Sequence, residues 1–223
     1  MRIKLFMRGC VKFLLGLVIV GALIFLPAGS FAFFQPWLLM GVLFVPMFLA
    51  GVVMVFRNPA LLEKRLSAKE KESEQKAVLL FSALMFAAAF VVAGLNLRFG
   101  WLVLPRWVSI AAAVLFLLAY ALYAEVMREN AYLSRTVEVQ EGQKVVSTGL
   151  YGVVRHPMYL STLILFLSMP LVLGSPISFA IMLCYIPIIA KRIRNEEQVL
   201  EAGLEGSAEY KQRVRYKVIP LIW

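Results

Sequence analysis

The sequence predicts an all-α integral membrane protein with about six transmembrane segments and a pocket at the cytoplasmic ends of the last helical hairpin. Three observations support this fold class: an apolar composition, six long apolar stretches, and polar residues gathered at both ends of one hairpin. Of the 223 residues, 61% are hydrophobic and 16% are charged, whereas soluble domains have about 45–50% apolar and about 25% charged residues.

Six apolar stretches account for the predicted segments. They cover residues 11–28, 36–56, 77–97, 107–127, 158–173 and 176–190. The first four reach the length of about 17–25 residues that a helix needs to cross a bilayer. The last two are slightly short, as expected of a tilted or partly re-entrant hairpin.

The first stretch follows basic residues and resembles a cleaved signal peptide in this respect. We interpret it as a retained anchor, because it is long for the apolar core of a signal peptide. The turn-forming residues 27–30 also lead directly into the second stretch, which predicts a helical hairpin. We therefore divide the chain into an N-terminal hairpin with its charged loop, 1–76, and a motif-bearing part, 77–223.

The distribution of Lys and Arg predicts the orientation. If all six stretches cross and the N-terminus is cytoplasmic, 21 of the 23 Lys and Arg residues are cytoplasmic, with Arg98 and Arg106 as the exceptions. The positive-inside rule then places both termini and both polar motifs in the cytoplasm. Anionic lipid headgroups explain the net charge of +10, and we expect no nucleic-acid partner.

Three segments outside the apolar stretches have their own signals. The charged loop 57–76 begins with Asn58-Pro59, a helix-start signal, so we expect a surface helix along the headgroups. Residues 134–149 contain β-branched residues broken by glycine, which predicts extended or looped backbone. The tail 209–223 alternates basic and apolar residues, which is typical of an interfacial segment that anchors the chain or closes the site.

Proline positions define the last hairpin. Pro157 suits the first turn of the fifth segment, and Ser175-Pro176 fits the N-cap and first residue of the sixth. At about 1.5 Å per residue, the two arms rise roughly 24 and 25 Å. Residues 155–156 therefore finish at the same level as residues 196–197, so two separate motifs form one candidate site.

The polar residues at this level are costly to retain, and a pocket for a small charged cofactor accounts for them. Arg192 and Glu196 share a helix face and form either an ordinary ion pair or a receptor for the two charged ends of an amino acid. His156 is the only histidine, and it is either a structural hydrogen-bonder or the one available imidazole base. Tyr151 and Tyr159 are either interfacial aromatic residues or pocket residues.

The composition excludes several chemistries. Aspartate is absent from the chain, which removes aspartate-held magnesium sites and aspartate-supported catalytic triads. Cys10 and Cys184 lack paired spacing, so we expect neither a disulfide framework nor a metal site.

Several motifs occur together in the C-terminal half. They are Gly149-Leu150-Tyr151, Arg155-His156-Pro157-Met158-Tyr159, Arg192, Glu196-Glu197, Tyr210, Arg213-Val214, Tyr216 and residues 219–223. With these motifs, residues 134–223 resemble the isoprenylcysteine carboxyl methyltransferase family, whose core pattern phospholipid methyltransferases share. Weaker similarity over 58–66 and 98–101 is to uncharacterised microbial members, which implies the cytoplasmic membrane of a microbe.

The resemblance implies a membrane methyltransferase that binds S-adenosyl-L-methionine at the cytoplasmic ends of the last hairpin. It implies that Arg192 and Glu196 form the catalytic pair near the methionine end of the cofactor. The residues implied to bind the cofactor are Val145, Gly149, Leu150, Tyr151, Arg155, His156, Tyr159 and Glu197. We expect a lipophilic small molecule or lipid as acceptor, reached from the bilayer.

Other functions stay open at this point. A lipid amine or an apolar thiol could replace a carboxylate as acceptor. Related membrane reductases use NADPH and carry an Arg-His-x-Asn-Tyr pattern with a nearby aspartate, whereas this chain has Pro157 and Met158 in the middle and no aspartate. A transporter or another non-catalytic membrane protein also needs only six segments, but its polar residues are expected at mid-membrane.

Overall fold

The structure is a computed structural model that describes residues 2–67, 73–130, 132–133 and 139–223. Within these ranges the chain forms helices and loops without a strand, which confirms the all-α class. The α-helices are α1 Arg2–Ala28, α2 Phe34–Arg57, α3 Pro59–Ser67, α4 Ser73–Phe99, α5 Arg106–Glu129, α6 Pro157–Val172, α7 Pro176–Met182, α8 Tyr185–Gly203 and α9 Ser207–Arg213. A 3-10 turn at Gly149–Gly152 lies between α5 and α6.

Long apolar helices confirm an integral membrane protein. In the described part of the chain, five helical stretches are long and apolar enough to cross a membrane, and α6 is apolar but shorter. The five are Ile3–Ala28, Phe34–Arg57, Ala77–Phe99, Arg106–Glu129 and Pro176–Gly203. The last one extends beyond the predicted end at residue 190, because α8 follows α7 after a turn of only two residues, 183–184. This extension puts Arg192, Glu196 and Glu197 on one helix.

The N-terminal hairpin packs on α4 through a close helix contact. A Cβ at Gly94 would lie 2.5 Å from the carbonyl oxygen of Ile24, so glycine allows α1 and α4 to approach closely. Ile24 and Ala93 are fully buried in the adjoining core. The two predicted units thus touch along these helices, and a boundary at residues 76–77 stays a prediction.

Two apolar clusters hold the motif-bearing helices. The larger one includes the fully buried Phe116 of α5 and Val172 of α6. A second cluster joins α6, α8 and the tail through Tyr159, Ile193 and Val218. Because this cluster fixes α8 against α6, the polar ends of both helices meet.

The connections between helices support the predicted alternation of direction. The Leu104 N–H donates to the Gly174 carbonyl at 2.9 Å, so the α4–α5 and α6–α7 connections lie at one end of the bundle. Arg98 lies there too, beside Gly29 of the α1–α2 connection. The motifs at residues 155–156 and 196–197 lie at the other end.

The local signals around the hairpin are confirmed. Pro157 is the first residue of α6, and the Ser175 hydroxyl caps α7 by accepting the Ser178 N–H at 3.2 Å. Helix α3 begins at Pro59 as predicted, while residues 68–72 lie outside the described part. Residues 139–148 form neither helix nor strand, as predicted for 134–149, of which 134–138 are not described.

Candidate active site at the ends of the last hairpin

A cavity opens at the motif end of the bundle, bordered by α8, α9, the start of α6 and the loop 143–146. Its empty volume, including the open mouth, is about 1060 Å³. The predicted site residues that line it are Val145, Tyr151, Arg155, His156, Tyr159, Arg192, Glu196 and Glu197. Gly149 and Leu150 do not line the cavity and lie behind its wall.

Arg192 and Glu196 meet at the hydroxyl group of Tyr159. This hydroxyl donates to Oε2 of Glu196 and accepts from Nε of Arg192 at 3.1 Å. Tyr159 is buried, whereas the Glu196 side chain is 26% exposed. The tyrosine therefore holds a guanidinium and a carboxylate close together on the cavity wall, with the carboxylate still accessible.

Glu197 has a different environment from Glu196. Its Oε1 accepts from Nε of Arg155 at 2.8 Å and lies 3.1 Å from Nε2 of His156. Its Oε2 lies 3.4 Å from Nζ of Lys217, and its side chain is 11% exposed. The protein itself thus neutralises this carboxylate, which links α8 to the start of α6 and to the tail.

His156 lies between the two carboxylates, at the N-cap of α6. Its Nδ1 lies 3.9 Å from Oε1 of Glu196. An ionised carboxylate can only accept, so Nε2 of His156 carries the proton that faces Glu197. The buried imidazole therefore helps to fix Glu197 and turns its other nitrogen toward Glu196.

Arg155 holds the tail at the site by hydrogen bonds. Its Nη1 donates to the carbonyls of Val214 at 2.7 Å and Arg215 at 2.9 Å. The backbone N–H groups of residues 155–156 donate to the carbonyls of residues 216–217 at 2.9 and 2.8 Å. The tail is therefore tied to the site, which favours the closing role among the two expected for it, and Arg155 directs its Nε and Nη1 donors to protein acceptors.

Glu129 and Asn130 support the cavity wall, although neither was among the predicted site residues. Oε2 of Glu129 accepts the Leu150 N–H at 3.0 Å, and Nδ2 of Asn130 donates to the Tyr151 hydroxyl at 3.0 Å. Gly149 has φ +50°, a left-handed conformation that favours glycine. The sequence feature that could have identified Glu129 and Asn130 is their position as a polar pair at the end of an apolar segment.

Tyr210 holds the same turn from the opposite side. Its hydroxyl donates to the Tyr151 carbonyl at 2.7 Å. Burial raises the pKa of Tyr210 to about 12, and burial also raises the pKa of Tyr151 well above its usual range. Both hydroxyls are therefore neutral near pH 7, and that of Tyr210 donates to the turn while that of Tyr151 accepts from Asn130.

Further lining residues extend the predicted set. The apolar ones are Leu133, Val146, Met158, Val199, Leu200 and Leu204, and the polar ones are Asn130, Tyr132, Gln143, Lys144, Glu201, Ser207, Tyr210 and Lys211. Lys211 and Glu201 form an ion pair on the exposed rim. Leu200, Glu201 and Leu204 follow Glu197 at a spacing of three, four and seven residues. They therefore share its helix face, and this spacing could have identified them as lining residues.

The arrangement suits a ligand with an amino-acid end and an apolar ring. Arg192 and Glu196 offer adjacent opposite charges, and Val146, Leu200 and Leu204 offer an apolar wall. Side chains of this kind complement a ligand that carries an ammonium, a carboxylate and an apolar part. Across the described residues, no group of three or more His, Cys or Glu side chains is placed to hold a metal ion.

A comparison with known families covers the part of the chain that carries the site. Residues 107–202 match the Isoprenylcysteine carboxyl methyltransferase (ICMT) family. This range contains α6, α7 and nearly all of α5 and α8. The chain is also similar to a Delta(14)-sterol reductase of Mus musculus, with 32% identity over 91 residues, 40% of this chain and 22% of the relative. A Delta(14)-sterol reductase of Methylotuvimicrobium alcaliphilum is 25% identical over 135 residues, 54% of this chain and 32% of the relative.

The matches therefore differ in what they support. The chain spans between a fifth and a third of the length of these reductases, so the similarity concerns only part of each of them. The family match gives the motif-bearing half a membrane methyltransferase-like fold, and every predicted site residue lies inside it. Residues 107–202, somewhat less than half of the chain, are similar to the isoprenylcysteine carboxyl methyltransferase family.

Proposed function

We propose that the protein is an S-adenosyl-L-methionine-dependent methyltransferase that acts on a lipophilic acceptor at the cytoplasmic face of a microbial membrane. The observation that carries the proposal is the contact of Arg192, Tyr159 and Glu196 on the cavity wall. A guanidinium beside a carboxylate complements the carboxylate and ammonium of the methionine part of the cofactor. The family match over 107–202 supports the same class.

Each part of the cofactor has a partner of suitable chemistry. Glu196 would hold the ammonium and Arg192 the carboxylate, while Val146, Leu200 and Leu204 would face the adenine. When bound, S-adenosyl-L-methionine supplies an activated methyl group on a sulfonium. The residues of the chain orient the reactants and exclude water, which matters more for this transfer than a strong acid or base.

The two carboxylates have separate roles in this proposal. Glu197 is held by Arg155, His156 and Lys217, and it keeps the tail closed over the cavity. Glu196 is more exposed and is assigned to the ammonium of the cofactor, so neither carboxylate is available to take a proton from a thiol or amine acceptor. A carboxylate acceptor needs no base, and we therefore favour O-methylation of a lipophilic carboxylate over N- or S-methylation.

The acceptor is proposed to be lipophilic because the cavity is continuous with an apolar cluster. Leu133, Val146 and Met158 line the cavity and belong to the cluster around Val126 and Tyr151. An apolar chain lying along these residues would replace lipid or protein contacts without loss of hydrogen bonds. Such a molecule would reach the site sideways from the bilayer, while the cofactor would enter from the cytoplasm.

Labelled S-adenosyl-L-methionine tests the activity directly. Purified protein is incubated with the methyl-labelled cofactor and membrane extract, and the labelled products are separated by solvent partition. We expect label in the lipid fraction, released as methanol by mild base if the product is a methyl ester. No transfer above that of the Glu196→Gln variant, or transfer only into water-soluble products, would contradict the proposal.

A membrane reductase is the second candidate. The observation that favours it is the similarity to two proteins named Delta(14)-sterol reductase, at 32% and 25% identity. Reduction of a carbon–carbon double bond would require a hydride donor such as NADPH. Consumption of NADPH in the presence of a Δ14-sterol, without methyl transfer, would favour this candidate.

A further inference from the structure

We infer that Glu129 is a positioning residue of the cofactor cavity, because it holds the turn Gly149–Gly152, and with it Tyr151, against the end of α5. The inference rests on the proposed function, since it concerns the cavity assigned to the cofactor. Glu129 is the last residue of α5 and does not line the cavity itself. It acts through the backbone of the turn.

The carboxylate of Glu129 is hydrogen-bonded to the backbone of the turn. Its Oε2 and Oε1 lie 3.0 and 3.3 Å from the backbone nitrogen of Leu150, and both accept its proton. A backbone N–H that faces a charged acceptor makes a stronger bond than one that faces a neutral acceptor. The two residues are 21 positions apart, so the bond ties α5 to a distant loop.

Gly149 leaves the space that this carboxylate needs. A Cβ at Gly149 would lie 1.5 Å from Oε1 of Glu129, so no other residue fits while the carboxylate stays in place. Gly142 offers a comparison: it also has a positive φ, +69°, but a Cβ there would meet nothing within 4 Å. Gly149 is therefore required both by its backbone conformation and by Glu129, whereas Gly142 is required by its conformation alone.

Tyr151 connects the turn held by Glu129 to the cavity. Asn130, the C-cap of α5, donates to the Tyr151 hydroxyl, while the Tyr151 carbonyl accepts from Tyr210 of α9. Tyr151 is 7% exposed and lines the cavity. Release of the turn from Glu129 would let Tyr151 shift and would loosen the wall between α5 and α9.

The first test measures affinity for S-adenosylhomocysteine by calorimetry on purified full-length protein. We expect Glu129→Ala to weaken binding by about tenfold, because a charged hydrogen bond in the wall is lost. Glu129→Gln keeps an acceptor oxygen and should retain most of the affinity, within about threefold. Glu125→Gln is the matched control, one turn earlier on α5 and paired with the exposed Arg128, and it should bind like wild type.

The second test measures the contact itself through melting temperatures. Gly149→Ala should lower the melting temperature more than Gly142→Ala, since both strain a positive φ but only the first meets Glu129. In the double variant, Glu129→Ala should recover part of the loss caused by Gly149→Ala, because the carboxylate no longer occupies the space. Additive losses would overturn the inference.

The two tests separate this inference from the proposed function. If wild-type protein does not bind S-adenosylhomocysteine, the proposed cofactor is contradicted. The melting temperatures then still show whether Glu129 contacts the turn. If wild type binds NADPH instead, the same variants are compared with NADPH as ligand. Equal affinity of wild type and Glu129→Ala for whichever ligand binds would overturn the positioning role.

Discussion

The hydroxyl of Tyr159 on α6 hydrogen-bonds the carboxylate of Glu196 on α8, although 37 positions separate the two residues. The bond exists because α6 and α7–α8 form a hairpin whose two arms return to the same level. Arg192 donates to the same hydroxyl, so a cation and an anion meet on the wall of the cavity. This contact is the basis of the proposed cofactor site and of the predictions below.

The charge of Glu196 is predicted to matter more than its shape. Glu196→Gln should keep the contact with Tyr159 but leave a bound ammonium without its anionic partner, which should weaken S-adenosylhomocysteine binding at least about tenfold, or about 1.4 kcal/mol. Calorimetry measures the affinity. Glu205→Gln, an exposed residue outside the cavity, is the control, and unchanged affinity in a folded Glu196→Gln protein would count against the site.

Arg155 is predicted to be important for stability as well as for the site. Arg155→Ala removes the bonds to Glu197 and to the tail carbonyls, so a buried carboxylate loses its closest partner at a cost of about 3 kcal/mol. The melting temperature should fall by about 6 °C or more. Arg194→Ala, an exposed change on α8, should leave it nearly unchanged, and equal effects of both changes would contradict the role of Arg155.

The bond from Tyr210 to Tyr151 predicts a defined pH dependence. The pKa of Tyr210 is raised from its ordinary value of 10.0 to about 12, so folding favours the protonated hydroxyl. Its contribution to stability is therefore complete below about pH 10 and is lost as the pH rises toward 12. The difference in melting temperature between wild type and Tyr210→Phe should stay constant from pH 7 to 9 and shrink above pH 10, and its disappearance by pH 8 would refute this explanation.

The orientation is predicted by the basic residues and can be tested by labelling. In a background without Cys10 and Cys184, Lys144→Cys and Lys211→Cys should react with a membrane-impermeant reagent only from the cytoplasm. Arg98→Cys should react only from the outside. Labelling of Lys144→Cys from the outer face would place the cavity on the wrong side for a cytoplasmic cofactor.

Much of the fold follows from patterns that are local in sequence. The lengths of the apolar stretches locate the helices, and the helix-start signals at Pro157 and Ser175-Pro176 are confirmed. Equal arm lengths were sufficient to bring residues 155–156 to the level of residues 196–197. These features depend on helix geometry, which is the same in every protein.

The division of roles within the site could not be predicted in this way. Adjacent residues on a helix point about 100° apart, so Glu196 and Glu197 face different partners. Which of them meets Arg155 depends on the rotation of α8, and that rotation is set by packing of Tyr159, Ile193 and Val218. The contact of Glu129 with the turn is equally invisible in the sequence, because no pattern relates the end of one helix to a loop 21 positions later.

Competitive calorimetry on the purified protein, with S-adenosylhomocysteine and NADPH as the two ligands, distinguishes a methyltransferase from a reductase. We expect wild-type protein to bind S-adenosylhomocysteine and Glu196→Gln to bind it at least about tenfold more weakly, and we expect NADPH neither to bind nor to compete. Binding of NADPH without binding of S-adenosylhomocysteine would contradict the methyltransferase assignment and would favour a reductase on the same membrane fold.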